Sequence, residues 1–204
     1  VSSGAASKIN NPSKSIALAC GSHSGSKIHS REAFKMLWEY DVDVSNLKCP
    51  KLKSSPLEHN CSGKHAAFLA TCKKMNWPLE SYLKGNHPLQ VEIFRVVSEL
   101  LEVPQSEIIA ERDDCGAPTL YLKLNQMSKL YSLLSSSENA ELEQISRAMT
   151  TNPIMISDNN KFDTEIIKAS HGQVIGKGGA EGIQCLCKIN EGIGLALKVE
   201  DGSK

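Results

Sequence analysis

The chain closes with three short apolar runs, at residues 173–176, 182–189 and 192–200, and Asn190-Glu191-Gly192 separates the last two. A gap of that length carrying Asn and Gly between β-prone runs is a hairpin signal. The middle of the chain reads as helices. Helices followed by antiparallel strands do not fit an alternating βαβ layout. The expected fold class is therefore α+β, with helices packed on an antiparallel sheet.

The helices follow from apolar spacing. Ala33, Met36, Leu37 and Tyr40 repeat at helical intervals behind Ser30, a good N-cap residue, which predicts an amphipathic helix over 30–41. A helix is expected over 63–75, ended by Trp77-Pro78. Pro88 opens another, with Val91, Phe94, Val97, Leu100 and Leu101 as its apolar stripe. Helices are also expected over 126–134, 138–151 and 162–169, with a serine break at 135–137 between the first two. The run SIALAC at 15–20 is read as a buried strand, and Ile108-Ile109 as part of another. Residues 43–60, with Pro50 and Pro56, are irregular. Residues 1–14 are rich in Ser, Gly, Asn and Lys and read as a flexible segment ahead of one domain at 15–204.

Lys plus Arg and Asp plus Glu both number 23. A balanced chain lacks the basic footprint of a nucleic-acid binder. No apolar run has the length of a membrane span, and the start has no apolar signal core. A cytoplasmic location is the default expectation. The seven cysteines are an odd number without regular spacing, which favours reduced thiols over a disulfide framework.

Three stretches carry chemistry. Asn60-Cys61-Ser62-Gly63-Lys64-His65 places a thiol, an amine and an imidazole at a helix start, with Cys61, Lys64 and His65 spaced to share one face. Asp113-Asp114-Cys115-Gly116 adds two carboxylates and a second thiol in a turn, and Cys115 is the natural further metal ligand, since thiolates suit zinc. Gly176-Lys177-Gly178-Gly179 sets a lysine among glycines on a strand edge, where a ligand could approach the backbone. Ser22, in the loop after residues 15–20, could relay a proton if Lys177 acted as its base. Each has a plainer reading. Cys61 fits a core thiol, Lys64 a solvated cap, the aspartates a solvated turn, and Lys177 a surface lysine on a glycine bulge. One Ser-x-x-Lys occurs, at Ser24 to Lys27.

The ordered set is more specific than its parts. Ala19-Cys20-Gly21-Ser22-His23-Ser24-Gly25, Asn60 to Ala66, Asp114-Cys115-Gly116-Ala117-Pro118, Phe162-Asp163-Thr164, Gly176 to Gly182 and Lys198-Val199-Glu200-Asp201-Gly202 together resemble the rhizobial-type, inducible L-asparaginases. The resemblance runs over nearly all of 15–204. It implies a fold similar to serine β-lactamases and penicillin-binding proteins, and hydrolysis of L-asparagine to L-aspartate and ammonia. It implies zinc held by Cys61, Lys64 and Cys115, with Asp113 and His65 on the substrate side. It also implies catalytic roles for Ser22 and Lys177 as one of two Ser-Lys pairs. The other pair, a Ser-x-x-Lys ahead of residue 15, has no match within 1–14, and the family usually continues past 204, so a shortened member is expected. Two alternatives stay open: a member that binds zinc and ligand without turnover, and a thiol or zinc module unrelated to amides. The expected partner is a small molecule, with no nucleic acid and no membrane, and a homodimer is compatible with the sequence.

Overall fold

The computed structural model describes residues 1–52, 54–136 and 138–203. Ser137 of the serine break, Lys53 of the irregular stretch and the terminal Lys204 lie outside the described residues. The described residues form eight α-helices and five strands: α1 Ser13–Ala19, α2 Lys27–Trp38, α3 Ser62–Lys74, α4 Pro88–Leu101, β1 Ile109–Arg112, β2 Pro118–Tyr121, α5 Leu124–Ser135, α6 Ala140–Thr151, α7 Pro153–Ile156, α8 Phe162–Ala169, β3 Val174–Gly178, β4 Ile183–Lys188 and β5 Ile193–Lys198. The fold is α+β, and both of its sheets are antiparallel: β1 pairs with β2, and the larger sheet runs β3-β4-β5.

The hairpin expected at the end of the chain is present. Asn190 and Gly192 take positive φ between β4 and β5, which pair from Lys188 against Ile193 to Ile183 against Lys198. Helix α5 lies across β4 and β5, and α8 lies along β3. Gly194 is what lets α5 sit so close: a Cβ there would stand 2.1 Å from the Ser128 carbonyl oxygen.

Residues 15–20 form most of a helix, not the strand expected. Ile16, Ala17 and Leu18 are buried in a row because α1 is enclosed by α2, α3, α6 and α7. A short apolar run reads the same whether it is a buried strand or a fully enclosed helix turn, and Ala and Leu favour the helix. Helix α2 begins three residues earlier than expected. Ser26 is its extended N-cap residue, and the Ser30 hydroxyl instead donates back to the Ser26 carbonyl. On α4, Leu101 is buried, whereas Val91 is exposed. The strand expected around Ile108-Ile109 forms as β1 from Ile109, with Ile108 alone between it and a short 3-10 segment at Gln105–Glu107. Residues ahead of α1 pack on the helices: Ala5 and Ile9 are buried, and the Tyr40 hydroxyl donates to the Ala5 carbonyl at 2.6 Å.

Candidate active site

The site is built where α1 meets the first turn of α3. A Cβ on Gly63 would lie 2.6 Å from both the Leu18 carbonyl oxygen and Leu18 Cγ, so only glycine allows this approach. The contact brings the loop after α1 against the start of α3. That loop is held from both sides: the Ser22 and Ser24 amides donate to the carbonyls of Ile156 and Ser157, and the His23 amide to that of Asn60. Gly25 has φ +66°, and a Cβ there would overlap the Glu58 carbonyl at 1.9 Å.

On one side of Asn60 lies a thiol cluster. Cys61 caps α3 and is held by its amide, which donates to His59 Nδ1 at 3.0 Å. Cys115 sits in the tight turn between β1 and β2, closed by Asp113 N–H to the Ala117 carbonyl and Gly116 N–H to the Asp113 carbonyl. One donor atom from each of Cys61, Asp113 and Cys115 lies within 4.8 Å of the others. Lys64 Nζ is 3.6 Å from Asp113 Oδ2, and Cys115 Sγ is 3.3 Å from the same oxygen.

The two thiols are shifted in opposite directions. Their mutual hydrogen bond, then burial, push Cys61 far up. The same bond, helped by His65, the Ala117 amide and Lys64, holds Cys115 far below an ordinary thiol. Burial pulls Lys64 down, but the charges of Cys61, Cys115 and Asp113 outweigh it and keep the amine above its usual range. A thiolate this close to a carboxylate is repulsive unless a cation joins them. Lys64 is one such cation. Two sulfurs and a carboxylate oxygen converging on one point are also a donor set of the kind zinc takes.

His65 is fully buried beneath this cluster. The Tyr82 hydroxyl accepts from the Lys48 amide at 3.0 Å and lies 2.6 Å from His65 Nδ1. With Nδ1 as the acceptor of that pair, Nε2 carries the hydrogen. Nε2 is buried without a partner of hydrogen-bond geometry among the described residues.

On the other side of Asn60 opens a cleft of about 810 Å³. Ser22 is exposed on it, and Asp163, Gly178, Gly179 and Gln184 form the opposite wall. Asn60 joins the two halves: its amide nitrogen lies 3.2 Å from Ser22 Oγ and 3.6 Å from Cys61 Sγ. Lys177 is on β3, next to this wall, and its ammonium donates to the Gly178 carbonyl. Its charge also reaches Cys20 at the end of α1, where burial pushes the thiol up to about 11 and Lys177 pulls it back.

The structure therefore gathers Cys61, Lys64, Asp113, Cys115 and His65 in one cluster and sets Ser22 beside it on the cleft, with Lys177 on β3 next to Gly178 of the cleft lining. It does not join Ser24 to Lys27. The Ser24 hydroxyl bonds Asp158, and Lys27 is exposed on α2. Three residues escaped the sequence reading as site residues: Asn60, Asp163 and Gln184. Asn60 adjoins a reactive cysteine, and Asp163 lies inside a motif shared with the asparaginases. Nothing local marks Gln184, which is one polar residue within a strand.

A cleft that exposes Ser22 is thus joined through one amide to a cluster of thiols and a carboxylate. The chain matches the model of the L-asparaginase II family over residues 1–204 and belongs to that family. Among curated proteins none matches it. At the level of the family, the reaction is asparagine amide hydrolysis.

Proposed function

We propose that the protein hydrolyses L-asparagine to L-aspartate and ammonia in the cleft beside Ser22, using Ser-Lys chemistry next to a metal-binding cluster. The observation that carries this reading is Asn60, whose single amide touches both Ser22 Oγ and Cys61 Sγ. It makes the hydroxyl side and the thiol side one site. Amide hydrolysis adds water across the C–N bond, and the nitrogen leaves as ammonia after gaining a proton. An exposed hydroxyl at Ser22, with Lys177 in its neutral form as the acceptor, is suited to carry that proton from the attacking group to the leaving nitrogen. Asp163 keeps the β3 edge in place by accepting the Gly178 amide at 2.8 Å. The antiparallel sheet, with a lysine on its edge strand facing helices, supports a layout similar to that of serine β-lactamases.

Cys61, Cys115 and Asp113 would hold zinc, with Lys64 able to replace Asp113 once it loses its proton. Bound there, zinc would supply a fixed positive charge to polarise a nearby carbonyl. His65 backs this cluster from beneath, with Nδ1 against the Tyr82 hydroxyl. All seven cysteines are free, which supports a reducing, cytoplasmic setting. No helix among the described residues is long and apolar enough to cross a membrane.

Incubation of the purified protein with L-asparagine, followed by ammonia measurement, tests the proposal. Release that is lost in Lys177→Ala is the expected result. No release above that variant overturns the reading.

A further inference from the structure

We infer that Gln184 reads the α-ammonium group of the substrate, and that Asp163 is a positioning residue which fixes the orientation of the Gln184 amide. The inference rests on the asparagine reading above and names the group that one wall of the cleft recognises.

Gln184 lies on β4, opposite Gly178 of β3 and Leu197 of β5. A side-chain amide can be turned either way, and its hydrogen bonds settle which. Here both amide hydrogens have acceptors: Asp163 Oδ1 at 3.0 Å and the Cys185 carbonyl at 3.1 Å. A carboxylate only accepts, so it always selects the nitrogen end of its neighbour. Oε1 is thereby turned to the Gly178 side, 3.2 Å from where a Cβ on Gly178 would sit. Gly178 and Gln184 line the same cleft. Asp163 cannot swing away, because it is 7% exposed and its second oxygen takes the Gly178 amide. Carboxylate, amide and glycine edge are one locked unit.

That unit presents an oxygen with a carboxylate behind it. Oriented dipoles in a partly buried wall favour a positive group, and L-asparagine has one, its α-ammonium. The carboxamide belongs across the cleft, by Ser22 and Asn60. Lys161 also lines the cleft and supplies a positive group of the kind the α-carboxylate needs.

Gln184→Met keeps the length of the side chain and removes the acceptor. L-asparagine is compared with succinamate, which has the same amide and carboxylate but no α-ammonium, by ammonia release and by calorimetric binding. Gln184→Met is expected to raise KM for L-asparagine about tenfold or more, to lower kcat less, and to change succinamate less than about twofold. Asp163→Asn alone frees the amide to turn and gives an intermediate loss. The exchange Asp163→Asn with Gln184→Glu again directs an oxygen to the cleft and restores KM to within about fivefold of the parent. Equal losses for both substrates, or no change for either, overturn the inference while leaving hydrolysis intact. If the parent binds L-asparagine without releasing ammonia, the same Gln184→Met weakening of binding upholds the inference and removes the hydrolytic reading. Absence of any L-asparagine binding removes both.

Discussion

Acid should destabilise this protein through one histidine beneath the site. His23 is 2% exposed, stacks on His29 at 4.7 Å between ring centres, and has His59 nearby. Its Nδ1 accepts the Gly25 amide at 3.2 Å. Its Nε2 accepts the Gly63 amide at 3.4 Å and lies 3.4 Å from the Ser62 hydroxyl. Backbone amides thus point at both ring nitrogens, and a charged ring, with hydrogen on both, would have to displace them. Burial, then the charges of His29 and His59, lower His23 from 6.5 to about 3, against a small opposing pull from Asp158. The unfolded chain therefore takes up this proton near pH 6.5 while the folded chain refuses it until about pH 3. The associated stability is complete above pH 6.5 and falls as pH drops towards 3. Integrated over the interval from pH 7 to pH 5, the loss is about 2 kcal/mol. Urea unfolding at pH 7, 6 and 5 measures it, with His23→Gln as the control that accepts and donates without titrating. The parent should lose about 2 kcal/mol more than His23→Gln across that range. Parallel losses in the two proteins would refute the buried-histidine account.

Gly63→Ala should cost about 1–3 kcal/mol by denaturant midpoint, because the added methyl meets the Leu18 backbone, and ammonia release should fall with it. A change below about 0.5 kcal/mol would mean that α1 and α3 are not in close contact. Cys115→Ser should lower zinc content measured by elemental analysis, and unchanged content would remove Cys115 as a ligand. Asn60→Ala should lower kcat for asparagine about tenfold to a hundredfold, because the Ser22 hydroxyl loses its donor, and steady-state kinetics read this directly. Asp163→Ala should destabilise by about 1–3 kcal/mol, since the Gly178 amide and Gln184 both lose their acceptor, as thermal unfolding would report.

Much of the architecture was legible along the chain because local patterns were strong and undisputed. The helix at Phe162–Ala169 and the hairpin around Asn190 to Gly192 were read correctly from apolar spacing and turn chemistry. Residues 15–20 were misread because enclosure on every side erases the amphipathic signal. Ser30 has the chemistry of an N-cap, but Ser26 holds the extended conformation the cap requires. The reactive residues are legible as a list, since Ser22, Cys61, Lys64, Asp113, Cys115 and Lys177 stand out by side-chain chemistry alone. His65 is legible in the same list, and the structure buries it beneath the thiols.

The amino-acid sequence by itself determined the kind of fold and the inventory of reactive groups, since both are written in side-chain type and short-range spacing. Tertiary structure decided which groups meet. Cys61 and Cys115 are 54 positions apart in the chain, and no periodicity reports that they meet in one cluster. The close approach of α1 and α3 at Gly63, the Asn60 bridge and the clamp of Asp163 on β3 and β4 likewise arise from long-range packing. They depend on distances of a few ångströms between segments whose separation along the chain carries no record of their contact.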